Sequence, residues 1–352
     1  MSQSLPTPDP FPRGFASDNF AGVHPKVLER IAACNHGHAM AYGDDPVTAR
    51  AREAFNRLFG QDVSTHFAFN GTGANVTALM SFAKPHGAVL CSEVAHVVND
   101  ESTAPERILG MRLAPLATRD GKVDPDALLD RIARGHGVHG ALPVVLTLTQ
   151  PTEVGTVYTA AELRTLVDLA HAHGVGVHVD GARLGCAVAA TGLGVREMLV
   201  ETGVDAVSFG GTKQGMLCGE AVVFLKPGLG ADYPYHQKLA MQLSSKMRFI
   251  SAQFEALLED GLWIENGRKA NAAAAQLEAA VRPLPFLEIA FPVQANAVFA
   301  KIPLELLEPL QQETFFWPWD ERAGLVRWMC AWDSQPGDIE RFVQVLKRHG
   351  GC

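Results

Sequence analysis

The chain has 352 residues, 47% hydrophobic and 19% charged, which describes a packed globule with room for one large and one small domain and excludes a disordered chain. Its formal net charge of −8 excludes a general nucleic-acid or anionic-membrane surface, though not a local anion pocket. Six scattered cysteines without a C-x-x-C pair exclude a disulfide framework and a structural zinc site, and no apolar run reaches the roughly 18 residues of a membrane span.

The opening "MSQSLPTPDPFPRG" reads as a flexible arm to about residue 13. It lacks a basic stretch followed by an apolar core, so no secretory signal is expected and the expected location is cytoplasmic. From about residue 45 to 230, helical and strand patterns alternate. "VTARAREAFNRLFG" is apolar at helical spacing and stops on Gly60. "HFAFNGTGANVTALMSFA" passes from a short apolar run through a glycine turn into a helix, and "PVVLTLTQ" is a strand. "AELRTLVDLAHAHGVGVHVDGARL" reads as helix, glycine and strand, and "DAVSFGG" as one more strand. The alternation predicts an α/β fold, a mostly parallel sheet with helices on both faces and ligands at the carboxyl ends of the strands. A long helical region runs from about 232 to 280. Short strands follow in "LEIAFPV", "AVFAKI" and "LVRWMCAW", then the helix "DIERFVQVLKRH", the outline of a smaller α+β domain. The expected division is an N-terminal segment, 1–22, associated with the small domain, a large domain over 23–250 and a small one over 251–352.

Several residues on this frame carry chemistry. "NGTGANV" puts Gly71 and Thr72 at a strand-to-helix turn, where backbone N–H groups and the helix N-terminus suit a phosphate; a plain turn capped by Asn70 or Thr72 is the alternative. "HVDGARL" places Asp180 at the end of a buried strand, with Arg183 three residues on. That is either a structural ion pair or a carboxylate kept for a cationic ring nitrogen. Lys213, in "SFGGTKQGM", follows Asp180 by 33 residues, enough for a crossover helix in "GVREMLVETG". A confined lysine sheds its proton readily and becomes a Schiff-base nucleophile, whereas most lysines are only solvated charges. His96, in "SEVAHVVNDES", is a hydrogen-bonded core residue, a base or a ring stacked on a flat cofactor. His139 lies before "PVVLTLTQPTEVGT". A lysine, an aspartate, a phosphate turn and a histidine in one chain are the parts pyridoxal 5′-phosphate needs. No metal is expected.

With these residues in place the chain resembles the low-specificity L-threonine aldolases, within the fold type I pyridoxal-phosphate enzymes. The likeness runs through "FASDNFAG", "YGDDPVT", "NGTGAN", "HVVNDE", "TQPTEVGTVY", "HVDGARL", "SFGGTKQG" and "SSKMRF", in the family's order. It implies the aspartate aminotransferase-like fold, with Lys213 as the imine-forming lysine, Asp180 as partner of the ring nitrogen and His96 stacked on the ring. Gly71 and Thr72, with Arg183 and Thr212, would hold the cofactor, and Arg248 would reach its phosphate from a neighbouring subunit of a homodimer or homotetramer. Ser17, Arg183 and Arg327 would hold the substrate carboxylate, with Tyr42 also at the substrate, and His139 would be a second active-site histidine.

The implied reaction is aldol cleavage of L-threonine, L-allo-threonine or a related β-hydroxy-α-amino acid such as L-phenylserine to glycine and an aldehyde. The base is His139, or His96 through a water. Another fold type I reaction, β-elimination or amino transfer, is the nearest alternative. A non-catalytic ligand binder and a nucleotide-phosphate binder using "NGTGAN" alone are the others.

Overall fold

A computed structural model describes residues 12–134 and 137–351, so most of the N-terminal arm lies outside the described residues. The chain forms β1 (Ser64–Ala68), β2 (Gly87–Ser92), β3 (Arg112–Leu116), β4 (Thr118–Arg119), β5 (Lys122–Val123), β6 (Leu142–Thr149) and β7 (Gly176–Gly181). After these come β8 (Ala206–Gly210), β9 (Glu220–Phe224), β10 (Glu288–Ile289), β11 (Ala297–Lys301), β12 (Trp317–Asp320) and β13 (Leu325–Met329). The main sheet has the order β1-β9-β8-β7-β6-β2-β3. Its strands run the same way except β9, which is antiparallel to both its neighbours.

Strands β2, β7 and β8 are buried on both faces or nearly so, as an α/β sheet requires, which is why "GAVLCS", "GVHVD" and "AVSF" read as unbroken apolar runs. The one imidazole inside them is satisfied across three strands. His178 on β7 bonds Thr147 Oγ1 on β6 at 2.8 Å and Ser208 Oγ on β8 at 2.9 Å.

Helix Pro46–Phe59 starts on Asp45, whose carboxylate accepts from the Thr48 N–H at 2.8 Å and the Thr48 hydroxyl at 2.7 Å. It stops on Gly60 at φ 67°, as the sequence predicts. Its Phe55 stands edge-on to Phe209 of β8, with ring centroids 5.2 Å apart, and also packs on Phe59, Phe67 and Phe254. This aromatic knot holds β8 in place, and truncating Phe55 would cost about 3–5 kcal/mol. The helix expected in "GVREMLVETG" is only a five-residue π-helical stretch, Arg196–Val200, after the helix Leu184–Thr191.

The second sheet, β10-β11-β13-β12, is antiparallel and packs its own core with helices Leu262–Val281, Leu304–Glu313 and Pro336–Gly350. Phe15, near the N-terminus, is buried in that core, and its carbonyl accepts from the Met329 N–H at 2.7 Å. Position 250 falls inside helix Met247–Leu258, which packs on helices Pro25–Cys34 and Pro46–Phe59. A division between residues 250 and 251 would therefore cut a continuous helix. Among the described residues no helix is long and apolar enough to cross a membrane.

Candidate active site

The carboxyl edge of the main sheet gathers most of the residues of interest. Strand β8 ends at Gly210, and the chain turns through a single 3-10 turn, Thr212–Gln214, that carries Lys213. The turn is pinned from both sides. Gly211 N–H donates to Glu220 Oε2 at 2.7 Å, Gln214 Nε2 to the Gly210 carbonyl at 2.5 Å, and Asn266 Nδ2 to the Gln214 carbonyl at 2.8 Å. The glycines are there for close approach: a Cβ on Gly210 would collide with the Ala182 carbonyl oxygen, and Gly215 sits at φ 107°. That collision point presses the lysine turn against the turn after Asp180.

Burial lowers the pKa of Lys213 and the nearby Arg183 cation lowers it further. Among the described residues Lys213 makes no hydrogen bond or ion pair. A lysine in that state is a nucleophile in waiting.

Asp180 lies in register with Thr149 of β6 and Ser208 of β8. Its Oδ1 accepts from the Ala182 N–H at 3.0 Å and its Oδ2 from Asn75 Nδ2 at 2.9 Å, and among the described residues no cationic side chain pairs with it. The structural Asp180–Arg183 pair is not formed. Arg183 instead gives Nε and Nη2 to Asp18, at 2.6 and 2.9 Å, in a bidentate pair.

His96 opens a one-turn helix, His96–Asn99, and its Nδ1 lies 2.8 Å from Glu101 Oε1. That bond raises the pKa of His96, while burial raises that of Glu101. The imidazole is 38% exposed, so it faces open space while Glu101 is sealed behind it.

Helix Gly71–Met80 begins after β1. Asn70 caps it by accepting from Gly73 N–H at 2.8 Å, while the N–H groups of Gly71 and Thr72 have no acceptor among the described residues. Thr212 is used within its own loop, where its hydroxyl accepts from the Gly219 N–H at 3.2 Å.

At the far end of the cleft Arg327 on β13 is mostly buried, with no partner for its Nε and its guanidinium 5.7 Å from the Trp319 ring centroid. Burial and the Arg183 charge lower its pKa. The neighbouring Asp18 belongs to the short 3-10 turn Asp18–Phe20, capped by the Ser17 hydroxyl, which accepts from Asn19 N–H at 3.1 Å. Arg327 is near enough to Arg183 and Asp18 to feel both charges, and Ser17 precedes Asp18 in the chain.

Three expected residues lie at the chain's surface. His139 is exposed and precedes β6, whereas Asp180 aligns with the last residue of that strand. About 23 Å of strand separates the two ends, so His139 is at the opposite edge of the sheet from Asp180. Tyr42 is 51% exposed, with φ 62° and Lys238 Nζ 5.5 Å from its ring centroid. Arg248 donates to the carbonyls of His36 and Gly37, at 3.3 and 3.4 Å, on the chain's own surface.

Four residues of the site escaped the sequence reading. Asn75, one turn into the phosphate helix, links Asp180 to Glu101; Asp18 holds Arg183. Glu220 and Glu153 are buried carboxyls whose pKa values burial raises to about 7. Glu153 stands four residues past the end of β6 in "TQPTEVGT", and an acid just beyond a buried strand is itself a signal.

These groups fit pyridoxal phosphate. The unfilled N–H groups of Gly71 and Thr72 suit its phosphate, Asp180 without a counter-cation suits its ring nitrogen, and an unpaired, proton-shedding Lys213 suits its carbonyl.

Comparison with known proteins gives the same picture. A family profile described as beta-eliminating lyase matches residues 14–304. Low specificity L-threonine aldolases from a Pseudomonas species and from Pseudomonas aeruginosa are each 41% identical over 334 residues, covering 95% of this chain and 96% of theirs. The solved structure of Leishmania major threonine aldolase superposes with a TM-score of 0.90 at 27% identity, over 96% of this chain and all of that one. The chain belongs to the beta-eliminating lyase family, whose members are pyridoxal-phosphate enzymes.

Proposed function

We propose that the protein cleaves L-threonine, L-allo-threonine and related β-hydroxy-α-amino acids to glycine and an aldehyde. The observation that carries this reading is the convergence of Lys213, Asp180, His96 and the Gly71–Thr72 turn on one sheet edge, with Arg327 unpaired opposite them. Pyridoxal phosphate, when bound, supplies an electron sink for the pair left on the substrate's Cα. The protein's part is binding and orientation. Lys213 gives up a proton because burial and Arg183 disfavour its charge. Asp180, fixed by Asn75 and the Ala182 N–H, keeps a carboxylate where a protonated ring nitrogen needs one. Arg327, with the remaining donors of Arg183 and the Ser17 hydroxyl, takes the substrate carboxylate and so selects which Cα bond is aligned for cleavage.

Names of relatives at 41% identity support the substrate class. The division into a large body around the main sheet and a small one around β10–β13, with the N-terminal segment on the small one, is part of the same reading, as is a cytoplasmic location. A homodimer or homotetramer is also part of it. Tyr42, Phe69, Tyr235, Leu239 and Met241 expose apolar surface around the loop that Arg248 braces. An apolar rim beside a site is the surface a second copy would cover.

The test is to incubate the holoenzyme with L-threonine and measure products. Aldehyde and glycine in equal amounts support aldol cleavage; ammonia with a keto acid would assign β-elimination or amino transfer instead. Lys213→Ala should remove the visible absorbance of the purified protein and nearly all turnover.

A further inference from the structure

We infer that Glu220 is the positioning residue of Lys213: its carboxyl anchors the turn that carries the lysine, and its charge governs how firmly that lysine keeps its proton. The inference rests on Lys213 as the imine-forming lysine of the reaction proposed above.

Glu220 is the first residue of β9, which lies between β1 and β8 in the main sheet. It is in register with Ala68 and Gly210, the last residues of those two strands. The chain beyond Ala68 leads to the Gly71–Thr72 turn, and the chain beyond Gly210 to the Lys213 turn. One acidic residue therefore stands at the strand end between the two turns that would hold the cofactor. Its side chain is bound to the second of them: Oε2 accepts from the Gly211 N–H at 2.7 Å, two residues before Lys213. The backbone beside it is tied there as well. Gly219 N–H donates to the Thr212 hydroxyl at 3.2 Å, and a Cβ on Gly211 would come within 2.5 Å of the Gly219 carbonyl oxygen. The lysine turn is thus fastened to the start of β9 at two successive residues.

The loop from Lys213 to Glu220 carries opposite charges at its two ends. Glu220 is buried and Lys213 half-buried, and among the described residues neither makes an ion pair. Each still acts on the other: Lys213 favours the ionised carboxyl, and the carboxylate favours the protonated amine. Burial raises the pKa of Glu220 to about 7, so its charge is present above neutrality and lost below it. Burial and Arg183, after β7, drive the proton off Lys213, while Asp18, Asp180 and Glu220 hold it. Asp18 is taken up by Arg183, and Asp180 by Asn75 and the Ala182 N–H. Glu220 is the carboxyl whose hydrogen bond goes to the lysine's own turn. On the other side of the loop, helix Met247–Leu258 sets two uncharged residues against it, Ile250 at Gly219 and Gln253 on the Leu217 N–H.

The test compares wild type with Glu220→Gln and Glu220→Ala. Gln keeps an oxygen for the Gly211 N–H and removes the charge; Ala removes both. Trace acetylation of the cofactor-free protein by acetic anhydride across a pH series, read by mass spectrometry of the Lys213 peptide, gives the pH at which this one amine loses its proton. Glu220→Gln should move that midpoint down by about 1 unit, roughly 10-fold in Lys213 reactivity below the midpoint. A midpoint that stays put or moves up would overturn the inference, and a merely structural role for Glu220 predicts no movement. Because Gln is nearly the size of Glu, this arm stands even where Glu220→Ala fails to fold. Glu220→Ala, which loses the anchor too, should bind pyridoxal phosphate about 10-fold more weakly than Glu220→Gln. Equal affinity in the two variants would also overturn the inference. Borohydride reduction of the wild-type holoenzyme should fix the cofactor on the Lys213 peptide. Fixation on another lysine would refute the proposed role of Lys213 itself, and the inference with it, whatever the acetylation midpoint does.

Discussion

One amide of Asn75 serves two carboxylates: its Nδ2 lies 2.9 Å from Asp180 Oδ2 and 3.0 Å from Glu101 Oε1. Asn75 sits on helix Gly71–Met80, so the helix whose first N–H groups would hold the cofactor phosphate also fixes Asp180, which would pair with the ring nitrogen. One rigid element would thereby set the distance between the two ends of the cofactor. Asn75→Ala should leave Asp180 Oδ2 without a donor, at about 1–3 kcal/mol. Titration of the cofactor-free protein with pyridoxal phosphate should show affinity weakened by roughly 10-fold or more, with Lys213 intact. Unchanged affinity would mean that Asp180 needs no positioning.

The two arginines divide their work unequally. Arg183 is committed to Asp18 by a bidentate pair, while Arg327 is buried and unpaired at its Nε. An uncompensated buried cation is costly unless an anion completes it. Arg327→Ala should therefore raise the KM for L-threonine by about 10–100-fold, the loss of one charge-assisted contact of about 1.5–3 kcal/mol, with a smaller change in kcat. Arg183→Ala should act differently: it strands the buried Asp18 and should lower the melting temperature. Steady-state kinetics and thermal melts together check the distinction.

Local signals were legible in the sequence wherever the chain itself carries them. Asp45 and Gly60 mark the ends of one helix, and "SFGGTKQGM" puts a lysine just past a buried strand. The glycines of that loop have another cause than room for a ligand, because Gly210 is needed where two backbones nearly touch. Contacts between distant segments were not legible. The Asp18–Arg183 pair joins residues 165 positions apart, and nothing in "FASDNFAG" names its partner. β12, "WPWD", was hidden by Pro318, which an edge strand tolerates. The misplacement of His139 has a simple origin. Nearness to "TLTQPTE" along the chain becomes the full length of a strand in space when the residue precedes that strand.

That geometry gives a sharp expectation. His139→Asn should leave kcat and KM for L-threonine cleavage at wild-type values, because His139 precedes β6 while Asp180 aligns with that strand's last residue. A drop of 10-fold or more in kcat, with cofactor absorbance retained, would place His139 in the chemistry after all, by way of a second subunit.

His178 and His66 both weaken the folded protein in acid. Burial holds the pKa of His178 down to about 4, from an ordinary value near 6.5, while its two ring nitrogens bond the Thr147 and Ser208 hydroxyls. The unfolded chain binds this proton at higher pH than the folded one. Stability should therefore rise with pH between about 4 and 6.5 and fall away as pH drops through that window, by about 3 kcal/mol from this residue. The buried carboxyls Glu153 and Glu220 act in the opposite sense, since their raised values favour the folded protein at lower pH. Denaturant melts across pH 4 to 7 should show a steeper acid loss in the double variant Glu153→Gln/Glu220→Gln than in the wild type, because the opposing contribution is gone. An unchanged slope would mean that neither carboxyl carries an extra proton in the folded state.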